Sequence, residues 1–339
     1  MATIFCRPVL LIVLGFTGAT SAVSSPHGAL QQRPLERSAS FPSIDAPADG
    51  AFLNGAVYFE FSVSEDICIS NTKEGNILVF NKAGNLKKVV GRKGRGPAEL
   101  YQPGKIMPHH DGIFVHDVGN QRVKEFDDEG RPRRYIKLFK AYRDMVYDED
   151  ASRCFAAPMT VAPGDKLVDV LALDGTISSS FGEPLDFAKD RQIYNLVRLC
   201  LTDKRELLVA FTFFPILRQY ALTGMLVSEY RIDYPRFRAN EKYNQASYHA
   251  SLSDDSRMGL KSVIDGIRQQ DGKFFVMNSY PSLLILELSS SLTPEREYVG
   301  RRQEEYFAQD FLVSLEGPDP VFFVLQIRPE NEVDVYGIK

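Results

Sequence analysis

The stretch NILVFNKAGN, residues 76–85, carries the phrase on which the fold turns: an apolar run, an aromatic stop at Phe80, then a polar turn with glycine. It returns as QRVKEFDDEG (121–130), LVDVLALDGT (167–176), ILRQYALTGM (216–225), SLLILELSSS (282–291) and a final EVDVYGIK (332–339). The anchors Phe80, Phe126, Leu171, Tyr220, Leu286 and Tyr336 are spaced by 46, 45, 49, 66 and 50 residues. Strand-like units recurring every ~40–50 residues mark a β-propeller, with one four-stranded antiparallel sheet per repeat. Six copies predict six blades.

Working outward from the phrase, residues 56–90 divide into AVYFEF, EDICIS, NILVF and NLKKVV, parted by short Gly, Asn and Ser turns. Such runs with such turns read as consecutive hairpins. The rhythm places the blades at about 56–90, 104–139, 142–181, 191–232, 258–300 and 307–339. The last repeat stops after three strands. An open edge is a hazard for β proteins, so the segment 37–45 is expected to supply the missing fourth strand and join the two ends of the chain. Antiparallel order puts the turns between second and third strands on the same side as the links between blades. That loop-rich face gathers the inter-blade segment 91–103 and the polar insert 234–257, which lengthens one repeat to 66 residues.

A resemblance enters at GRKGRGPAELYQPGKI followed by DGIFVHDVGNQRVKEFDDEG. This stretch is similar to the exported bacterial six-bladed propellers related to NHL-repeat and TolB-like proteins. Gly94, Gly96, Pro97, Pro103, Ile106, Gly112, Ile113, Val115, Asp117, Asn120, Arg122 and Val123 carry it. Ala98-Glu99-Leu100 departs from the usual Gly-Glu-aromatic, and Phe114 stands for Tyr. The resemblance implies a six-bladed ring and, because this architecture hosts scaffolds, receptors and enzymes, implies no particular ligand.

The amino terminus reads as an export signal over residues 1–22: Arg7, an apolar run from Val9 to Phe16, and the small-residue site Thr20-Ser21-Ala22. The apolar run is too short for a stable membrane span, and no Cys follows at lipobox spacing. A soluble exported protein, periplasmic or secreted, is expected, with residues 23–36 as a flexible leader. Three cysteines remain after cleavage, Cys68, Cys154 and Cys200. Their odd number and apolar settings favour buried free thiols over a disulfide framework. The formal charge of −4 and pI near 5.8 speak against a nucleic-acid partner.

No GxSxG, HExxH or Cys–His arrangement is present, so no catalytic residue, metal or cofactor is assigned. The glycine-rich 91–97 loop lacks the Ser or Thr and the following helix of a phosphate loop. His109 and His110 fall in a turn opposite the loop-rich face, while His116 lies along the next strand, which parts them. The ligand candidates are Arg92, Lys93, Arg95, Asp117, Asn120 and Arg122 around the 91–103 segment, with Tyr234, Arg236, Arg238, Tyr243 and Tyr248 on the insert. Cations and polar-tipped aromatics there suit a glycan, peptide, anionic small molecule or protein partner. The expectation is a non-catalytic binding scaffold. The alternative is a hydrolase or lyase acting on a carbohydrate, lactone or peptide in the central channel, which requires titratable side chains converging on the axis.

Overall fold

A computed structural model describes residues 30–42, 52–254, 259–300, 307–328 and 331–338. The expected export signal at 1–22, residues 23–29 of the expected leader and residues 43–45 of the anticipated closing segment lie outside them. The innermost strand of each blade is Ala56–Phe61, Pro103–His109, Tyr142–Asp148, Val197–Leu201, Gly266–Gln270 and Phe307–Ser314. These six strands neighbour one another in sequence order, and the last returns to the first. Each begins a four-stranded antiparallel sheet. Blades 4 and 5 start later than the rhythm suggests, because the 3-10 turns Lys189–Asn195 precede one and a helix precedes the other.

Packing explains why the strands read as they do. Second strands such as Ile67–Asn71 are buried at every position, whereas the outer strand Ile177–Phe181 is exposed at all but its last. A middle strand is covered on both sheet faces by neighbouring blades, so it is apolar throughout rather than alternating. Among the described residues the core resolves into six hydrophobic clusters, one between each adjacent pair of blades. Phe126 and Val79 lie between blades 1 and 2, and Phe323 and Phe59 between blades 6 and 1. Ring closure is therefore a hydrophobic interface like the other five.

In blades 1 to 4 the repeated glycine sits in the turn before the outer strand. At Gly84 (φ 82°) and Gly175 (φ 89°) the backbone is left-handed, where only glycine avoids a steric cost. A Cβ at Gly175 would also stand 2.2 Å from the Lys137 carbonyl oxygen, and one at Gly84 2.8 Å from Phe41. Both neighbours belong to the outer edge of the preceding blade, so the glycine lets one blade tuck against the next. Blade 5 differs. Leu292 takes the left-handed position (φ 60°) and buries its side chain between blades 4 and 5. Burying a leucine yields about 1.5–3 kcal/mol, which outweighs the roughly 1–2 kcal/mol cost of the conformation.

The amino-terminal strand closes the ring, but it is longer than expected and does more. It runs Gln31–Phe41, so the leader ends by residue 30 rather than 36. Leu35–Phe41 pair antiparallel with Val333–Ile338, giving the last blade its fourth strand. Gln31–Pro34 pair parallel with Arg296–Val299 of blade 5. One strand thus fuses two blades into an eight-stranded sheet. Arg37 donates to Asp334 at 3.2 Å across the seam, and Leu35 and Phe41 are its buried anchors. Cys68, Cys154 and Cys200 are buried and free, and burial pushes each thiol up to about 12.

Candidate functional site

The link from blade 1 to blade 2 is held from below by the residues that the sequence singled out. Arg92–Lys93 pair in parallel with Glu99–Leu100, folding the link on itself. Asp117, fully buried, accepts from the Tyr101 amide at 2.6 Å, Asn120 Nδ2 at 2.7 Å and Arg122 Nε at 2.8 Å. Asn120 donates on to the Gly94 carbonyl at 3.0 Å, and Arg122 to the Glu99 carbonyl at 2.9 Å. Asp117, Asn120 and Arg122 therefore shape the loop, while Arg92, Lys93 and Arg95 project from it into solvent.

Beside this link lies a groove of about 540 Å³ lined, among the described residues, by five cations, Arg95, Arg122, Lys124, Arg133 and Arg134, together with Tyr135 and no carboxylate. Glu125 behind the wall offsets part of that charge through Arg133 (3.6 Å) and Arg134. Lys124 is the unusual member. Its side chain is buried, and among the described residues its ammonium donates only to the carbonyls of Gly96, Pro97 and Glu99, at 2.8, 2.6 and 2.7 Å. Burial, with Arg122 adding repulsion, pulls its pKa down to about 8. Lys124, Arg133, Arg134 and Tyr135 were missed from sequence because they read as ordinary third- and fourth-strand residues.

The insert is a helix rather than a loop. α1, Pro235–Ser251, spans 17 residues with proline in its first turn, where the missing N–H costs nothing. Three of the named insert residues fasten it down. Tyr234 donates to Glu297 at 2.6 Å, Arg236 donates to the Ser282 carbonyl at 2.8 Å, and Tyr248 accepts the Ala188 amide at 3.1 Å. Tyr248 also packs edge-on to Phe187 and Tyr194. Arg238 pairs with Asp233, and Tyr243 lies under the Lys261 ammonium at 4.2 Å. The helix stands between blades 4 and 5, so its residues do not meet the blade 2 cluster: the loop-rich face carries two separate groups.

The axis is ionic. All six innermost strands deliver a charged side chain to it, namely Glu60, Lys105, Asp144, Arg198, Arg268 and Asp310. Arg268 grips Asp310 at 2.7 and 2.8 Å, and Lys105 lies 3.6 Å from Glu60 and 3.8 Å from Asp144. Tyr58 lies across the ring: its hydroxyl donates to the Arg143 carbonyl of blade 3 at 2.7 Å and accepts from Arg198 of blade 4 at 3.2 Å. On the side away from the loop-rich face, a cavity of about 220 Å³ reaches Glu60, Lys105, Cys200 and Arg268. Nearby, His116 is buried and held neutral, burial dropping its pKa to about 4.

A family model for DUF5128, described as a 6-bladed beta-propeller, matches residues 60–151. No curated protein matches the chain. Among solved structures, a Bacteroides fragilis protein thought to be exported is 13% identical with a TM-score of 0.60, covering 91% of this chain and 98% of that one. A DUF4221 family member from Bacteroides vulgatus is 12% identical with a TM-score of 0.60, covering 91% and 99%. Virginiamycin B lyase from Staphylococcus aureus, as an inactive variant with quinupristin, is 12% identical with a TM-score of 0.54, covering 89% and 87%. No helix among the described residues is long and apolar enough to cross a membrane. Six sheets in a closed ring, a family model of that architecture over residues 60–151 and neighbours matched along most of their length agree: the chain is a six-bladed β-propeller, similar to the DUF5128 propellers.

Proposed function

We propose that this is an exported, non-catalytic propeller that binds an anionic ligand or partner along the outer edge of blade 2, in a groove that starts at the blade 1–2 link on its loop-rich face. The observation that carries the reading is the groove whose lining holds five cations and no carboxylate. Its volume lies within the range of small-molecule and oligosaccharide clefts. Lys124 strengthens the reading, since a buried ammonium satisfied only by carbonyls is stabilised when an anion docks beside it. The test is salt elution from heparin-agarose and from uncharged agarose. Arg95→Ala with Arg133→Ala should elute at clearly lower salt, whereas Lys204→Ala with Lys242→Ala, two exposed cations on blade 4 and on α1, should not. Equal shifts from the two pairs would leave only diffuse charge and refute the groove.

A second reading, a hydrolase or lyase acting on a carbohydrate, lactone or peptide in the central channel, is favoured by the ionisable groups gathered on the axis. The virginiamycin B lyase neighbour adds to it at the level of fold alone. Against it stand the pairing of those groups with one another and the Tyr58 bar across the ring. Turnover of a lactone or glycoside panel that disappears in Lys105→Met would favour this second reading.

A further inference from the structure

His109 ends the innermost strand of blade 2, His110 and Asp111 form the turn that follows, and Glu149 stands in the corresponding turn of blade 3. One ring nitrogen of each histidine and a carboxylate oxygen of Glu149 lie within 4.8 Å of one another. His116, the third histidine of the sequence cluster, is buried elsewhere. The missing ligand comes from the neighbouring blade, 39 residues away in sequence. We propose that His109, His110 and Glu149 form a zinc site on the face opposite the loop-rich one, with its fourth position open to water.

Three features support it. His109 is only 6% exposed, and its Nδ1 faces the turn, accepting a long hydrogen bond from the Asp111 amide at 3.3 Å that a metal on that nitrogen would replace. Its Nε2 is buried without a hydrogen-bond partner among the described residues, 3.9 Å from Glu125 Oε1. A metal on Nδ1 fixes the tautomer with hydrogen on Nε2, directed at that carboxylate, the arrangement by which metal-bound imidazoles are commonly oriented. Second, Glu149 is already positioned: it accepts the His110 amide at 3.1 Å and contacts the His110 ring. Third, Asp111 lies 2.9 Å from His110 Nε2 and 3.7 Å from Arg133, so it serves to orient rather than to ligate.

Two imidazoles and one carboxylate select the metal. Calcium and magnesium prefer all-oxygen shells, whereas three protein ligands of this kind with an open position suit zinc. The ion would tie blade 2 to blade 3. Arg133 borders both sites, lining the blade 2 groove and lying 3.7 Å from Asp111 and 3.6 Å from Glu125, so the zinc test leaves that residue unchanged.

The experiment is titration of the EDTA-stripped chain with zinc against a chromophoric chelator, with melting temperature followed in parallel. One ion per chain is expected, together with a rise in melting temperature. His110→Ala and Glu149→Gln alter exposed positions (69% and 40% exposed) and should leave the fold intact. Each should weaken zinc about tenfold or more and abolish the thermal shift, while His249→Ala changes neither. Absence of stoichiometric zinc, or zinc binding indifferent to both substitutions, overturns the site, as does a preference for calcium.

Discussion

Replacing Phe41 by alanine asks whether the amino-terminal strand holds the ring shut. Phe41 is 5% exposed, its ring lies 5.4 Å from that of Phe80 in blade 1, and it belongs to the cluster between blades 6 and 1. Truncating a core phenylalanine costs about 3–5 kcal/mol, part of it from the cavity left behind. The close approach of Gly84 lets little of that space collapse, so about 4 kcal/mol is expected. Against a typical total of about 5–15 kcal/mol, this is a large share. With a urea dependence near 3 kcal/mol/M, the midpoint falls by about 1 M or more. Far-UV circular dichroism is the suitable probe, since the chain has no tryptophan. Ser40→Ala, at an exposed position of the same strand, is the control and should be neutral. Leu35→Ala, which acts between blades 5 and 6, should cost about 2–5 kcal/mol. If Phe41→Ala unfolds at the same urea concentration as Ser40→Ala, the strand is an ornament on a ring already closed, and the reasoning fails.

Four further outcomes follow. Burial holds the Asp334 carboxyl above its ordinary range while Arg37 pulls it back, so ionised Asp334 costs stability once pH exceeds its folded value. Arg37→Met should lose about 1–2 kcal/mol at pH 7, less than a fully buried pair because Arg37 is 46% exposed. The loss should shrink as pH falls and Asp334 protonates, read from urea midpoints across pH. Gly175→Ala meets both the left-handed backbone and the Lys137 carbonyl and should cost about 2–5 kcal/mol, whereas Gly164→Ala, with nothing within 4 Å, should cost only the conformational part; melting temperatures separate them. Cys68, Cys154 and Cys200 should stay silent to Ellman's reagent at pH 8 and react on denaturation. Anion binding in the groove should weaken as pH rises through about 8, where Lys124 loses its proton; an affinity flat to pH 9.5 would mean that its three carbonyl partners keep the ammonium charged.

The ring was legible because every blade repeats one apolar run and blades 1 to 4 one glycine turn, and both have the same physical cause, burial between neighbouring sheets. The start of the closing strand was not. Only Leu35 and Phe41 of its eleven residues are buried, so QQRPLERSASF shows no hydrophobic alternation and resembles a leader. The helix escaped for a related reason. Its buried face is Phe237, Asn244, Ser247 and Ser251, helical in spacing but largely polar, and Asn244 is held by carbonyls of Phe213 and Lys261. The axial charges had a signal that went unused: each first strand carries at least one charged residue among apolar ones. Glu149 had none, because proximity between blades is set by the ring and not by the chain.

The strand that belongs to two blades also imposes an order of events. Arg37 must wait for Asp334, a partner 297 positions downstream, and Gln31 must wait for Arg296. A chain made from its amino end cannot engage this latch until nearly everything after it exists. Contacts of such long range form slowly, since the intervening chain must be gathered first. Until then the rims of blades 5 and 6 remain available to any other extended peptide, so sealing is the step most open to domain exchange between nascent molecules.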